Sequence, residues 1–402
     1  MTEQAALRPP GSRGLGVNAA LIIVCQSMQA FAFGAVALFL PLIRADVDIT
    51  FSQAGSLAAG GTLTYALMQV PAGILADRID PKILFIVGLV GANVLSLIFA
   101  MLDDYEALLV NQAASGVCRA LVFVPGLILM QGQFRSDRKA MAMGLYVAGG
   151  FSSNILLNAF GPLLVGSMGW RWLFVVFSIS GLLVLIMFAG LGDSGRRRPH
   201  AETPAGVTLV TVLRHPVVWL TGFIQFVRLA VATGTAFWLP SLIVEDKGYS
   251  LLTAGVVVAV AAVLTAPSNI IGGVLFDRLD RPLAVIASSL CVMTATLAAI
   301  PHVDQLAPLA VLVAANAVCN QLFFGPLFAL PPRLLGSENT GMVSGFGNLC
   351  ANLGGFAFSF GLGAIKDATG SFDVGLYVLA GLCVAGMAAT ATLTRQLRPL
   401  SA

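Results

Sequence analysis

Arg119 and Arg228 each stand about halfway along a long apolar run, with no acidic residue near the middle of either run. A charged side chain at the centre of a bilayer costs at least ~2.5 to 3.5 kcal/mol on insertion scales, so it faces a cavity or a partner and marks function. Every Asp and Glu falls in a loop or at the end of an apolar run, and His200, His215 and His302 lie in or beside loops. Two arginines with no carboxylate between them describe a site for an anion. Guanidinium also meets a carboxylate through two parallel N–H groups, which lysine does not match. A proton-coupling acid or histidine at mid-membrane depth has no candidate in this chain.

The chain repeats at an offset of about 200 residues. Phe39-Leu40-Pro41 recurs as Trp238-Leu239-Pro240 (240 − 41 = 199), and Asp77 recurs as Asp277 (277 − 77 = 200). Val117-Cys118-Arg119 recurs as Val318-Cys319-Asn320 (320 − 119 = 201), with Pro125 on Pro326. By these offsets Arg228 corresponds to Gln29 and Arg119 to Asn320, so related positions carry a polar or charged group in both halves. All four are expected to line a central cavity. Tyr65 and Gln69 share one helix face, and so do the i, i+4 pairs Asn154/Asn158, Asn316/Asn320 and Asn348/Asn352. The expected substrate-binding set is Arg119, Arg228, Gln29, Tyr65, Gln69, Asn320, Asn348 and Asn352. For the amides the competing role is bonding neighbouring helices, since polar side chains in lipid need partners or water.

The elements that position these groups follow from composition. The chain is 57% hydrophobic and 10% charged, with mean hydropathy +0.90, whereas a soluble domain carries about a quarter charged residues. Apolar runs of about 20 residues predict an all-α integral membrane protein with twelve transmembrane helices as two six-helix repeats. The predicted parts are a tail over 1–16, a first bundle over 17–192, a linker over 193–215, a second bundle over 216–394 and a tail over 395–402. The first apolar run, about Val17 to Ile43, is too long for a signal-peptide core. Sixteen Lys and Arg fall in loops on one side and only Arg44, Arg171, Lys247 and Lys366 on the other, so both termini are expected in the cytoplasm. The six cysteines lie inside apolar runs with no CxxC spacing, so neither metal nor cofactor is expected. A net charge of +3 without basic patches excludes nucleic acid as a partner, and no phosphate-binding G-x-x-x-x-G-K-[ST] loop occurs. The expected partners are the lipid bilayer and a small anionic molecule, and the chain is expected to be a monomer.

Gly73-Ile74-Leu75-Ala76-Asp77-Arg78 and Gly273-Val274-Leu275-Phe276-Asp277-Arg278 are short charged turns between apolar runs. This twice-placed G-x-L-x-D-R resembles the signature loop of the major facilitator superfamily of secondary transporters. Asp80 and Asp280 stand where that pattern has Gly. The resemblance implies gating positions at Gly73, Asp77, Arg78, Gly273, Asp277 and Arg278. Asp77 and Asp277 would meet the positive amino-terminal end of a helix in the other half only while the cytoplasmic side is closed. Arg119 is similar to the arginine of the superfamily's second motif. Gly169-Trp170-Arg171-Trp172 resembles the turn into its sixth helix, where Arg171 is structural. Short stretches from Gly325-Pro326 to Ser371-Phe372, and Phe237-Trp238-Leu239-Pro240, resemble the anion:cation symporter and organic-acid branch. The expected function is transport of a small organic anion, a carboxylate, across a bacterial inner membrane by alternating access. The alternative is an efflux pump for drugs or metabolites. No nucleophile, base and orienting group converge by motif, so an enzyme is not expected.

Overall fold

A computed structural model describes residues 14–134, 139–192, 215–279, 282–325, 327, 330 and 340–397. All of the linker except His215, and most of both predicted tails, lie outside the described residues. The first half contains α1 (Gly14–Leu38), α2 (Leu40–Val47), α3 (Phe51–Arg78), α4 (Pro81–Phe99), α5 (Tyr105–Gly132), α6 (Lys139–Met168) and α7 (Trp170–Leu191). The second contains α8 (Pro216–Ser241), α9 (Leu251–Leu279), α10 (Pro282–Ala299), α11 (Leu306–Leu322), α12 (Thr340–Thr369) and α13 (Asp373–Leu397). Ten of these helices are long and apolar enough to cross a membrane, and α11 is shorter. The remaining long helix, α3, is richer in Gly, Ser, Thr and Gln. The expected twelve-helix count holds.

The first predicted span is two helices rather than one. Pro41 sits in the first turn of α2, and Phe39 is the non-helical residue before it. Proline has no N–H and its ring crowds the carbonyl four residues back, which kinks or breaks a helix, and here the helix breaks. The related Pro240 lies inside α8, which runs on into a π turn over Leu242–Asp246. A π turn absorbs one extra residue. Downstream of it the repeat offset is 200: Thr50 and Ser250 each accept a first-turn N–H of the following helix, α3 or α9, from Gln53 and Thr253. Later the offset is 201, as for Gly169 and Gly370, both with left-handed φ, 78° and 77°. Asp80, where the resembled motif has Gly, caps α4 through its carboxylate and the Lys82 N–H at 2.8 Å.

Packing repeats as well. In the first half α1 packs on α6 and α7, α3 on α5, and α4 on α5 and α7; in the second, α8 packs on α12 and α13, α9 on α11, and α10 on α11 and α13. The halves meet chiefly where α3 packs on α12 and α9 on α6. These are equivalent contacts. A Cβ on Gly55 would lie 2.6 Å from the Ser359 carbonyl oxygen, and one on Gly255 would lie 2.3 Å from that of Asn158. Small residues let helices approach this closely in lipid.

Both contacts lie toward one end of the bundle, which also holds Arg44, Arg171, Lys247 and Lys366. Each of these cations is ion-paired. Arg44 reaches Glu245 of the other half at 2.6 Å, and Lys247 reaches Asp304 at 2.8 Å. Lys366 pairs with Asp246. Arg171 joins Asp46 and Asp103 and donates to the Ala100 and Leu102 carbonyls, so it ties the start of α7 to the end of α2 and to the α4–α5 loop, in keeping with a structural role.

Candidate substrate site

Arg119 is placed by the close approach of α5 to α3. Gly116, one turn earlier, leaves so little room that a Cβ there would lie 2.2 Å from the Gly61 carbonyl and the Thr64 hydroxyl. The Thr64 hydroxyl donates to the Ala113 carbonyl at 2.7 Å and locks the two helices together. Tyr65, the next residue on α3, therefore stands with its ring 5.3 Å from the Arg119 guanidinium. Gln69 lies one turn further along the same helix. On the other side α1 supplies Gln29, whose Oε1 accepts from Arg119 Nε at 3.1 Å, and Phe33, whose ring lies 3.5 Å from the guanidinium carbon. Ring faces attract such a cation without neutralising it.

Inside the first half, beside this arginine, is a cavity of about 20 Å³, room for about one water. Gln29, Phe33, Asn93, Ser96, Asn111, Gln112, Ser115 and Arg119 line it together with apolar groups. Asn93 Oδ1, Ser96 Oγ and Asn111 Oδ1 are buried there without a hydrogen-bond partner.

Arg228 on α8 is 7% exposed. Its Nε donates to Gln225 Oε1 at 3.0 Å, one turn back on the same helix, and the Phe324 ring lies 4.6 Å from its guanidinium carbon. Asn320 on α11 donates from Nδ2 to the Arg228 carbonyl at 3.0 Å, and its own Oδ1 is buried without a partner. Neither Arg119 nor Arg228 forms an ion pair among the described residues.

The predicted residues thus fall into two clusters: Gln29, Tyr65, Gln69 and Arg119 in one half, Arg228 and Asn320 in the other. Asn348 and Asn352 share a face of α12, where the Asn352 amide donates to the Asn348 carbonyl at 2.8 Å. No described contact brings these two to either arginine. Asn316 bonds Thr296 of α10 at 3.0 Å and so ties two helices, and Asn154 and Asn158 donate to carbonyls one turn back on α6. Gly161 and Pro162 are packing points against α1 and α9. Among the gating positions, Gly73 has open space around it and Arg78 and Arg278 are exposed at the far ends of α3 and α9. The side chains of Asp77 and Asp277, and position 273, lie outside the described residues.

Sequence reasoning passed over Phe33, Phe324 and Gln225. Gln225 carried a signal, because 225 − 199 = 26 and position 26 is also glutamine. Gln26/Gln29 and Gln225/Arg228 are thus the same i, i+3 pair. Gln26 is engaged too, accepting from the Tyr146 hydroxyl at 3.0 Å.

Two equivalent six-helix halves that meet at one end, each holding an arginine with no ion pair among the described residues, form a multi-pass membrane protein. The chain belongs to the Major Facilitator Superfamily, whose family model matches residues 22–359. It is 21% identical to the nitrite extrusion protein of Bacillus subtilis over 85% of each chain. It is 22% identical to the hexuronate transporter of the same organism, covering 91% of this chain and 90% of that one. A probable nitrate/nitrite transporter of Mycobacterium tuberculosis is 25% identical, with 96% and 98% covered. Among solved structures, a bacterial homolog of the human lysosomal transporter Spinster, in an inward-facing and occupied conformation, superposes with a TM-score of 0.83 at 13% identity over 96% and 98% of the two chains.

Proposed function

We propose that this chain moves a small anion across the bacterial inner membrane by alternating access, with Arg119 and Arg228 as its electrostatic anchors and a carboxylate as the favoured substrate. The observation that carries the reading is that both arginines are held by amides and aromatic rings, with no acid paired to either among the described residues. A cation kept charged and unneutralised in a membrane bundle keeps its binding capacity for an anion. The relatives whose names specify nitrite, nitrate or hexuronate are consistent with an anionic cargo. Gln29, Tyr65, Gln69 and Asn320 supply hydrogen bonds, and Asn348 and Asn352 join them when the halves rearrange.

Both termini are cytoplasmic in this reading, so the end bearing Arg44 and Glu245 faces outward. The halves meet at that end, and the molecule is open to the cytoplasm. Asp77 and Asp277 act when the opposite end closes, and Asp77→Asn lowers transport rate more than substrate affinity.

The deciding experiment is thermal stability of the purified protein with monocarboxylates, dicarboxylates, hexuronates, nitrate, nitrite, sugars and cationic drugs, repeated with Arg228→Gln. A ligand of the folded state stabilises it by about 2.7 kcal/mol at a hundred-fold excess over Kd. Stabilisation by carboxylates, lost in the variant, supports the full reading. Stabilisation by nitrate or nitrite alone replaces the carboxylate with an inorganic anion. Stabilisation by cationic compounds, indifferent to Arg228→Gln, replaces the proposal with drug efflux.

A further inference from the structure

We propose that Asp367 is a gating residue whose carboxylate latches the last turn of α12 to the first turn of α3 and holds the Arg44/Glu245 end shut. The proposal rests on the alternating-access reading. Asp367 accepts from the Phe51 N–H at 3.0 Å and the Ser52 N–H at 2.6 Å, and the Ser52 hydroxyl donates to the same carboxylate. The two amides belong to the first turn of α3, where N–H groups have no partner within the helix. The carboxylate therefore meets the positive end of the helix dipole through charge-assisted bonds. All three bonds cross from one half to the other. They cannot survive separation of the halves at this end.

The repeat shows that close packing does not require this acid. By the offset of 201, Asp367 corresponds to Gly166 (367 − 201), and a Cβ there would meet nothing within 4 Å. By the offset of 200, Ser52 corresponds to Leu252 (52 + 200). Both interfaces have their glycine, Gly55 against Ser359 and Gly255 against Asn158, but only the α3–α12 interface has the carboxylate. The adjacent Lys366 does not pair with it, because Lys366 is committed to Asp246 and to the Gly370 carbonyl. The turn it holds is fixed from other sides too: the Phe51 ring lies 3.3 Å from the Arg44 guanidinium carbon and packs on Trp238 and Phe372. Asp367 thus does at this end, with the same physics, what the family resemblance implies for Asp77 at the other. The two latches oppose each other, and their ratio sets which side is open.

The test is hydrogen–deuterium exchange on the full chain in lipid nanodiscs without substrate, comparing wild type, Asp367→Asn and Ser52→Ala. Asp367→Asn is expected to exchange roughly tenfold faster over residues 51–57 and 359–369, and more slowly over 72–79 and 340–347 as the opposite end closes. Ser52→Ala, which removes one neutral donor, gives a smaller change in the same directions, and decides alone if the charge variant does not fold. No change at either end overturns the latch. Faster exchange over 51–57 without slowing at the opposite end also overturns it, because that is local fraying. Reciprocal exchange in a protein that no anion stabilises sinks the anion reading and leaves the latch standing, and anion binding without reciprocal exchange does the reverse.

Discussion

Arg119 gives its Nε proton to Gln29 at 3.1 Å, and the same pair of helix positions in the second half is Asn320 and Arg228, joined at 3.0 Å through the Arg228 backbone carbonyl. The helices are equivalent, but the arginine has changed sides: it stands on α5 in the first half and on α8 in the second. Each half thus contributes one guanidinium and one amide, arranged as mirror roles around the repeat axis. In the proposed reading a substrate between the halves meets a cation from each.

Lysine at position 119 keeps the charge but cannot meet an anion through the two parallel N–H groups of a guanidinium. Hydrogen bonds to charged groups are worth about 1.5 to 3 kcal/mol, so Arg119→Lys is expected to weaken anion binding roughly tenfold to a hundredfold. The melting temperature should fall as well, since the Nε bond to Gln29 and the flat face against Phe33 are lost. Calorimetric titration with the anion found in the stability screen checks the first statement and thermal unfolding the second. Wild-type affinity in the variant would remove Arg119 from the site.

Arg171 is predicted to behave oppositely. Its guanidinium joins Asp46, Asp103 and two carbonyls at 2.6 to 3.1 Å, and its side chain is 30% exposed. Arg171→Ala should cost about 1 to 3 kcal/mol of stability, discounted for that exposure, while leaving anion affinity unchanged. Thermal unfolding and titration on one preparation separate the two effects.

Gly55 tests the interface itself. With a Cβ predicted 2.6 Å from the Ser359 carbonyl and 3.1 Å from the Phe360 Cα, Gly55→Val prevents α3 and α12 from meeting. Transport into proteoliposomes should fall at least tenfold while equilibrium anion binding persists, because one side of the cycle remains reachable. Normal transport would mean that these helices need not close this tightly.

At Asp304 the hydrogen bond from Lys247, reinforced by its charge, holds the carboxyl below the usual carboxylate range. A depressed folded value adds stability that is present above the unfolded value, about 3.9, and disappears as pH falls through the folded value. The gap in melting temperature between wild type and Asp304→Asn should therefore be constant from pH 7 to 5 and close below about pH 4. A gap that closes near pH 6 would assign the pairing to some other titration.

Much of the architecture was legible because it is periodic. The twelve runs, the paired Asp77 and Asp277 turns and the drift in offset are properties of a line of letters, and the π turn at Leu242–Asp246 gives one step of that drift a physical cause. The relation of Gln29 to Arg119 was legible through the repeat, although their contact was not. Phe33 and Phe324 were hidden because an aromatic ring in an apolar run looks like lipid-facing bulk until a guanidinium is found on its face. Asn316 was misleading in the other direction, since its spacing matched Asn320 while its side chain turned toward Thr296. Asp367 left no local pattern at all: a carboxylate that caps a helix 315 residues earlier is visible only once the halves are assembled.

Among the described residues, the end where the halves meet also carries an excess of acids. Against its four cations stand Asp46, Asp48, Asp103, Asp104, Glu106, Glu245, Asp246, Asp304, Asp367 and Asp373, a difference of 4 − 10 = −6. An anion arriving from that side climbs a repulsive field instead of falling down an attractive one, and dissolved salt flattens such fields within about 8 Å at physiological ionic strength. Uptake through this face should accordingly speed up as inert salt is added, in the manner of two like-charged reactants meeting in solution.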